Sequence, residues 1–345
     1  MKLARGVPGA LGAALLFGAG TPLAKMLLGA AGPWMLAGIL YLGCGVGLGL
    51  WRLARRGERA RLERSAIPWL AGAIALGGVV GPVLLLWGLA RMPASSASLL
   101  LNAEGILTAL VAWFAFGENF DRCIALGMLA IVAGAAVLAW PAGAHFGSAL
   151  PSLAVLGACL AWALDNNLTR KVSLADATQV AMLKGRVAGA VNLVLAAAAG
   201  ERLPSAPSIA AGALLGLASY GASLVLYVRA LRDLGTARTG AYFSTAPFAG
   251  AIISVALLHE PVTAPLAVAA ALMALGVWIH LTEHHGHRHA HEAIEHEHEH
   301  EHDVHHLHEH AHPVAPGTRH THRHRHEAMT HSHEHYPDSH HRHSH

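Results

Sequence analysis

Apolar residues dominate the chain almost without interruption as far as residue 282, and polar residues take over from there to the end. Windows long enough to cross the hydrocarbon core of a bilayer, about 20 residues at ~1.5 Å rise each, recur near 7–28, 32–51, 66–90, 94–116, 121–140, 148–169, 175–199, 207–231, 235–258 and 262–282. The pattern predicts an all-α integral membrane protein of about ten transmembrane helices joined by short breaks, with a polar tail attached.

The first window opens like a secretory leader, with Lys2 and Arg5 ahead of an apolar run. An internal repeat argues against that. "LGAALLFGAGTPLAK" (11–25) aligns without gaps onto "LGACLAWALDNNLTR" (156–170), pairing Phe17 with Trp162 and Lys25 with Arg170. "LLLWGLA" (84–90) corresponds to "LVLYVRA" (224–230), and "FGENFDRCIALGMLAIVAGAAVLAW" (116–140) to "LHEPVTAPLAVAAALMALGVWIH" (258–280), with Glu118 over Glu260. Five helices per copy is an odd number, so the second copy enters the membrane upside down. Inverted repeats of this kind build secondary transporters whose halves rock about a site near the midplane. The expected units are 1–141 and 148–282, followed by a tail over 283–345.

Composition and charge follow the same division. Hydrophobic residues make up 54% of the chain and charged residues 13%. Up to residue 280 there are 19 Lys/Arg against 10 Asp/Glu, net +9, while from 281 onward there are 5 against 11, net −6. Six arginines lie in "WRLARRGERARLER" (51–64), and Lys2, Arg5, Arg122, Arg170, Lys171, Arg232 and Arg238 fall in loops on the same side. The positive-inside rule then predicts an inner or plasma membrane protein with both termini cytoplasmic. The basic body is explained by topology, and no nucleic-acid partner is implied. Cys44, Cys123 and Cys159 stand singly in or beside apolar runs without CxxC spacing, as core residues do.

Ten helices in two five-helix repeats, the "STAPFAG" segment (244–250), and a Glu after the fourth and ninth helices in "FGENF" and "LHEPV" together resemble the drug/metabolite transporter superfamily, EamA type. The resemblance covers residues 7–281. One departure is that Glu104-Gly105 stands where the second half has Ala246-Pro247. The resemblance implies a ten-helix fold with a central cavity, and alternating access without ATP hydrolysis, for small solutes that range from amino acids to drugs. It implies no enzyme. The residues agree, since no GxxxxGK[ST] loop is present to cradle ATP phosphates.

Ionisable groups inside membrane helices mark a transport path or a buried pair. The candidates are Glu104 in "LLLNAEGILTAL", Asp165 and Asn166 in "LAWALDNNLTR", Lys184 and Arg186 in "VAMLKGRVAGAV", and Lys25. Glu104 lies about ten residues into its helix, near mid-bilayer, as a proton- or cation-coupling site would. The alternative is static pairing of Glu104 with Lys184 or Arg186. Asp165 is expected near the cytoplasmic end of its helix within reach of water, and Lys25 snorkelling to the outer interface. On an ideal helix Asn102 and Glu104 point about 200° apart, so an inward Glu104 leaves Asn102 to helix packing. Tyr220, Tyr227 and Tyr242 are cavity walls or interface anchors. Glu118 and Glu260 are expected to cap helix N-termini. Glycines at i and i+4 (Gly45/Gly49, Gly185/Gly189, Gly212/Gly216) let helices approach closely, within one bundle or across a homodimer.

The tail holds 25 of the 28 histidines. Its registers overlap in "HHGHRHAH" (284–291), "HEHEHEH" (296–302), "HTHRHRH" (320–326) and "HHRHSH" (340–345). Neutral imidazole is the commonest side-chain ligand for borderline metals. His284, His285, His287, His289, His291, His296, His298, His300, His302, His305, His306, His308 and His310 are therefore expected to bind divalent Zn, Ni, Co or Cu, in a tail too polar to fold on its own. No cofactor is required. Three functions remain open: export of a transition metal fed by the tail, export of a metabolite or drug with a tail that buffers metal, and a membrane-anchored metal store.

Overall fold

The computed structural model describes residues 6–54, 66–116, 122–139, 146–170, 177–234, 236–281, 286–291, 295–300, 320–325 and 329–334. It divides into two units, Met1–Glu283 and His284–His345. In the first, α1 covers Val7–Leu27 and α2 Pro33–Ala54. α3 is built from Ile67–Ala73, a π-helical segment Ile74–Val80, and Gly81–Leu89. α4 is interrupted, with halves Ala94–Leu100 and Ala103–Phe116. α5 (Arg122–Ala139), α6 (Phe146–Arg170) and α7 (Ala177–Ala198) follow. α8 repeats the construction of α3, with Ala206–Gly216, a π-helical segment Leu217–Ala222, and Ser223–Leu234. α9 repeats that of α4, with halves Thr236–Phe243 and Ala246–Leu258, and α10 (Ala264–Leu281) closes the unit.

Every helix coincides with one of the ten apolar windows. Among the described residues, eight are long and apolar enough to cross a membrane, while α5 and α10 carry shorter apolar stretches, Ala125–Ala139 and Ala264–Ile279. Lipid offers no partner for backbone N–H and C=O groups, so these segments satisfy them along the helix. Large apolar side chains stand on the outer surface, among them Phe114 at 75% and Ile252 at 68% exposure, a surface suited to acyl chains and not to water.

The helix contacts are symmetric under exchange of α1–α5 with α6–α10. α1 packs on α8 and α9 as α6 packs on α3 and α4, and α2 meets α8 as α7 meets α3. The pairs α2–α7, α4–α9 and α5–α10 map onto themselves. This is the arrangement expected of two inverted five-helix repeats.

The glycine pairs are used inside this bundle. A Cβ on Gly45 would stand 2.5 Å from the Arg186 backbone N, one on Gly185 2.7 Å from Gly45 N, and one on Gly189 2.6 Å from Leu42 N. Gly212 and Gly216 press α8 onto the other side of α2, against Ile39 and Leu40. Without a hydrophobic gain from leaving water, such backbone approach holds membrane helices together.

Among the described residues of the second unit there are four short strands. β1 (Gly286–His291) pairs antiparallel with β4 (Met329–Glu334), and β2 (Glu295–His300) with β3 (His320–Arg325). Strict two-residue alternation of histidine with other residues provides the strand period. Of the expected metal ligands, His287, His289, His291, His296, His298 and His300 lie in these strands, while His284, His285, His302, His305, His306, His308 and His310 lie outside the described residues.

The glycine contacts make a stability prediction. Gly185→Ala and Gly216→Ala force backbone apart, and each is expected to lower unfolding free energy by about 1–3 kcal/mol. Gly240→Ala, with nothing within 4 Å of the new Cβ, should leave it unchanged or raise it by up to ~1 kcal/mol. Thermal unfolding in detergent micelles reads the difference.

Candidate functional site

Each repeat carries two irregular helices in corresponding positions, a π-helical third helix and a broken fourth. π-Segments and matched helix breaks free backbone groups that side chains or substrates then take up. In α3 the freed groups are carbonyls. Gly77 O accepts from Tyr41 Oη at 2.7 Å and from Trp162 Nε1 at 2.9 Å, and Gly78 O accepts from Asn192 Nδ2 at 2.9 Å. The two glycines have no side chains to obstruct Asp165 and Ala188, which occupy the space beside them. Three other helices are thereby fastened to the π-turn of α3.

Asp165 is buried at 4% exposure, where a place within reach of water was expected. It forms an ion pair with Lys184 and accepts a hydrogen bond from Thr169 Oγ1 at 3.0 Å. The cation expected as one possible partner of Glu104 is therefore committed to Asp165. Glu104 begins the second half of α4, where the unpaired N–H groups of the first turn favour negative charge. Its Oε1 accepts from Asn166 Nδ2 at 3.0 Å, and among the described residues it forms no ion pair, although the Lys184 charge acts on it from nearby. Asn166 also reaches Thr108 Oγ1 at 3.4 Å, while Asn167 donates to Thr108 O at 3.2 Å and Ala163 O at 2.8 Å. Glu104 is partly exposed and Asn166 exposed, so this end of the cluster opens outward from the packed interior.

Asn102 corrects the ideal-helix expectation. The helix is broken at Leu101 and Asn102, so the angle of about 200° does not apply across it. Asn102 is buried, and its Nδ2 donates to Leu99 O at 2.9 Å with Met273 Sδ at 3.8 Å. It serves the break itself, adding a side-chain donor to a carbonyl that also accepts the Asn102 backbone N–H at 3.0 Å.

The α1 side of the interior holds rings in place of charges. Phe17 stands edge-on to Tyr220, with centroids 6.2 Å apart at 73°, and Phe243 at 5.4 Å. Tyr220 contacts Tyr41 at 5.4 Å, and Tyr227 contacts Phe243 at 4.9 Å. Tyr220 and Tyr227 thus belong to an interior aromatic wall. Phe17, Phe243 and Tyr41 were not singled out from sequence; the alignment of Phe17 with Trp162 was the available signal.

Glu104, Asp165, Asn166 and Lys184 come together, whereas Arg186 and Lys25 stand apart. Arg186 is exposed on α7 and its Nε donates to Gly45 O at 3.2 Å. Lys25 lies at the end of α1, where its Nζ donates to Leu89 O at 2.5 Å and to Met92 O at 3.0 Å, neutralising the carbonyl end of α3. Glu260 caps an N-terminus as expected, but that of α4 from the other repeat: it accepts from Ala94 N at 2.6 Å and Ser95 N at 2.8 Å. His259, in the left-handed region at φ 53°, turns the chain out of α9 just before it. Glu201 does the same for α2, accepting from Trp34 N at 3.3 Å and Met35 N at 2.7 Å. Two carboxylates of the second repeat therefore tie down helix starts of the first at this end of the bundle. Glu118 lies outside the described residues.

A bundle of apolar helices in two inverted repeats, with matched interior breaks and a buried charged cluster, is that of a multi-pass membrane transporter. Comparison with known proteins narrows the class. The EamA-like transporter family matches residues 4–140 and again 150–282, and the chain belongs to that family. A protein of Methanothermobacter thermautotrophicus described as an uncharacterized transporter is 28% identical over 293 residues, 77% of this chain and 83% of that one. A probable 4-amino-4-deoxy-L-arabinose-phosphoundecaprenol flippase subunit ArnE of Pseudomonas paraeruginosa is 47% identical over 89 residues, 26% of this chain and 74% of its own. One chain of known crystal structure superimposes with a TM-score of 0.61 at 20% identity, covering 80% of this chain and 96% of that chain, a likeness of fold alone.

Breaking the buried pair tests its role. Asp165→Asn or Lys184→Met leaves one unpaired buried charge and is expected to cost about 3–5 kcal/mol, with most of that recovered in the double variant. Unfolding of the three variants in micelles measures the coupling.

Proposed function

We propose that this protein is a secondary exporter of a positively charged organic solute, working by alternating access in the inner or plasma membrane, with Glu104 receiving the solute's cation or the coupling proton. The observation that carries this reading is the charge balance of the interior. Lys184 is neutralised by Asp165, and Glu104 stands near it at a helix break with the Asn166 amide as its side-chain hydrogen-bond partner and no ion pair among the described residues. The ring wall of Phe17, Tyr220 and Phe243 supports an organic cargo, since aromatic faces attract cations and apolar groups alike. The named cargo of the ArnE relative carries an amino group, which is consistent with such a solute. Arginine-rich 51–64 supports both termini on the cytoplasmic side, so that Glu260 and Glu201 close the outer end.

A second reading is favoured by the histidine tail alone: the cargo is Ni²⁺, Co²⁺ or Zn²⁺, captured in the cytosol by imidazoles and passed to Glu104. In either reading the tail binds divalent metal.

Uptake into everted membrane vesicles separates the readings. For the organic-cation exporter, lipophilic amines should accumulate, Glu104→Gln should reduce uptake at least about tenfold, as expected for loss of an intramembrane carboxylate, and truncation after Thr282 should leave it unchanged. Metal uptake that weakens on truncation would favour the second reading. Absence of flux for amines and metals alike would overturn both.

A further inference from the structure

Arg186 is the membrane cation that the charged cluster leaves unused, and it stands on a surface otherwise made for lipid. Residues one and two turns apart lie on one side of a helix, so Arg186 shares a stripe of α7 with Ala190 and Val194, and all three are exposed. Val187 and Val191 beside them are exposed as well, as are Val46 and Leu53 of α2 across the groove. Arg186 is nine residues past Ala177, the start of α7, which puts its Cα about 13 Å into the helix. A guanidinium facing acyl chains at that depth is costly unless something pairs with it.

The groove between α2 and α7 holds that guanidinium in a fixed place. Its Nε donates to Gly45 O at 3.2 Å, and its Nη2 rests on Gly49, where an added Cβ would collide with it. Helical side chains lean toward the start of their helix, so the side chain runs from mid-bilayer toward the end of the bundle where α7 begins and α2 finishes. Gly49 is five residues from Ala54, which brings the guanidinium to about 7 Å from the end of α2. Arg52, nearly one turn beyond Gly49, crosses the same groove, its Nη2 donating to Gln179 Oε1 at 3.3 Å. Two cations are thus tied across one groove and directed to one end. Among the described residues Arg186 forms no ion pair, and of its five N–H donors the one on Nε has a protein partner.

We propose that the α2–α7 groove at Arg186 binds the headgroup phosphate of an anionic phospholipid from the leaflet at the Arg52 end of the bundle, the leaflet that the positive-inside rule reads as cytoplasmic. Basic pockets between membrane helices on that side suit such headgroups. The planar guanidinium offers paired N–H donors that match two phosphate oxygens, which the point charge of a lysine does not. Arg52 adds a second positive charge nearer the interface, and this favours a headgroup with net negative charge over a zwitterionic one that brings its own cation. The exposed valines and leucine around the groove give the acyl chains a surface to lie on, so the occupant is a lipid phosphodiester and not a soluble phosphate. The glycine socket distinguishes this site from an arginine that merely snorkels: Gly45 and Gly49 position the guanidinium before the lipid arrives. The proposal concerns the surface of the bundle and is independent of the cargo and of the histidine tail.

The test is native mass spectrometry of the full-length protein in detergent, titrated with dioleoylphosphatidylglycerol or with dioleoylphosphatidylcholine. The parent is expected to retain one phosphatidylglycerol at least about tenfold more tightly than phosphatidylcholine, as a charge-assisted bidentate contact allows. Arg186→Lys keeps the charge without the fork, and Gly49→Ala keeps the arginine but fills its socket, where the neighbour that must yield is the flexible tip of the side chain. Each is expected to lower the preference at least about fivefold, while Arg91→Lys at the far end of the bundle leaves it unchanged. Thermal unfolding in the same detergent establishes that the variants are folded, and should Gly49→Ala fail to fold, Arg186→Lys decides. A folded Arg186→Lys or Gly49→Ala variant with the parent's preference overturns the site, since Arg186 then only snorkels. Equal retention of the two lipids by the parent, or loss of the preference in Arg91→Lys, overturns it too. Displacement of the lipid by excess inorganic phosphate would overturn the lipid assignment in favour of a soluble anion.

Discussion

The structure depends on one constraint: inside lipid every backbone hydrogen-bonding group must find a partner within the protein. Regular helices meet it without help. At the π-segment of α3 the side chains of Tyr41, Trp162 and Asn192 serve as partners, and at the break in α4 Asn102 adds a donor to the backbone bonds that cross it. The same constraint operates at the helix ends, where Lys25 covers carbonyls of α3 and the carboxylates of Glu201 and Glu260 cover N–H groups of α2 and α4. Side chains from one repeat thus complete helices of the other, and the two halves are joined by hydrogen bonds that rocking motion would have to exchange.

The scaffold is symmetric and its chemistry is not. Corresponding helices carry corresponding irregularities, and Phe17 of α1 matches Trp162 of α6, yet α6 bears Asp165, Asn166 and Asn167 where α1 has Gly20, Thr21 and Pro22. Duplication supplies two equivalent frames, and substitution within one of them gives it a polar cluster that the other lacks. Glu104 in α4, without a counterpart in α9, marks the same divergence.

Much of this was legible in the chain. Hydropathy located all ten helices, because a lipid-embedded helix needs an apolar run of fixed length, and the gapless alignment of 11–25 with 156–170 located the repeat. Glycine spacing indicated close packing. Partner choice was not legible: Lys184 meets Asp165 and not Glu104, and Glu260 caps α4 and not the helix that follows it, because these pairings depend on how distant segments are placed. The break at Leu101–Asn102 was also hidden, since "LLLNAEGILTAL" lacks the proline that usually signals one. In the tail, the alternation of histidine was legible but not the strand register that pairs histidine with histidine.

The central claim is that the cluster around Glu104 and Asn166 lines a path opened alternately to each side of the membrane. Asn166→Cys, in a chain whose Cys44, Cys123 and Cys159 are replaced by alanine, tests it with membrane-impermeant thiol reagents applied to right-side-out and everted vesicles. The account predicts labelling from both sides. Labelling from one side only, or from neither, would contradict it.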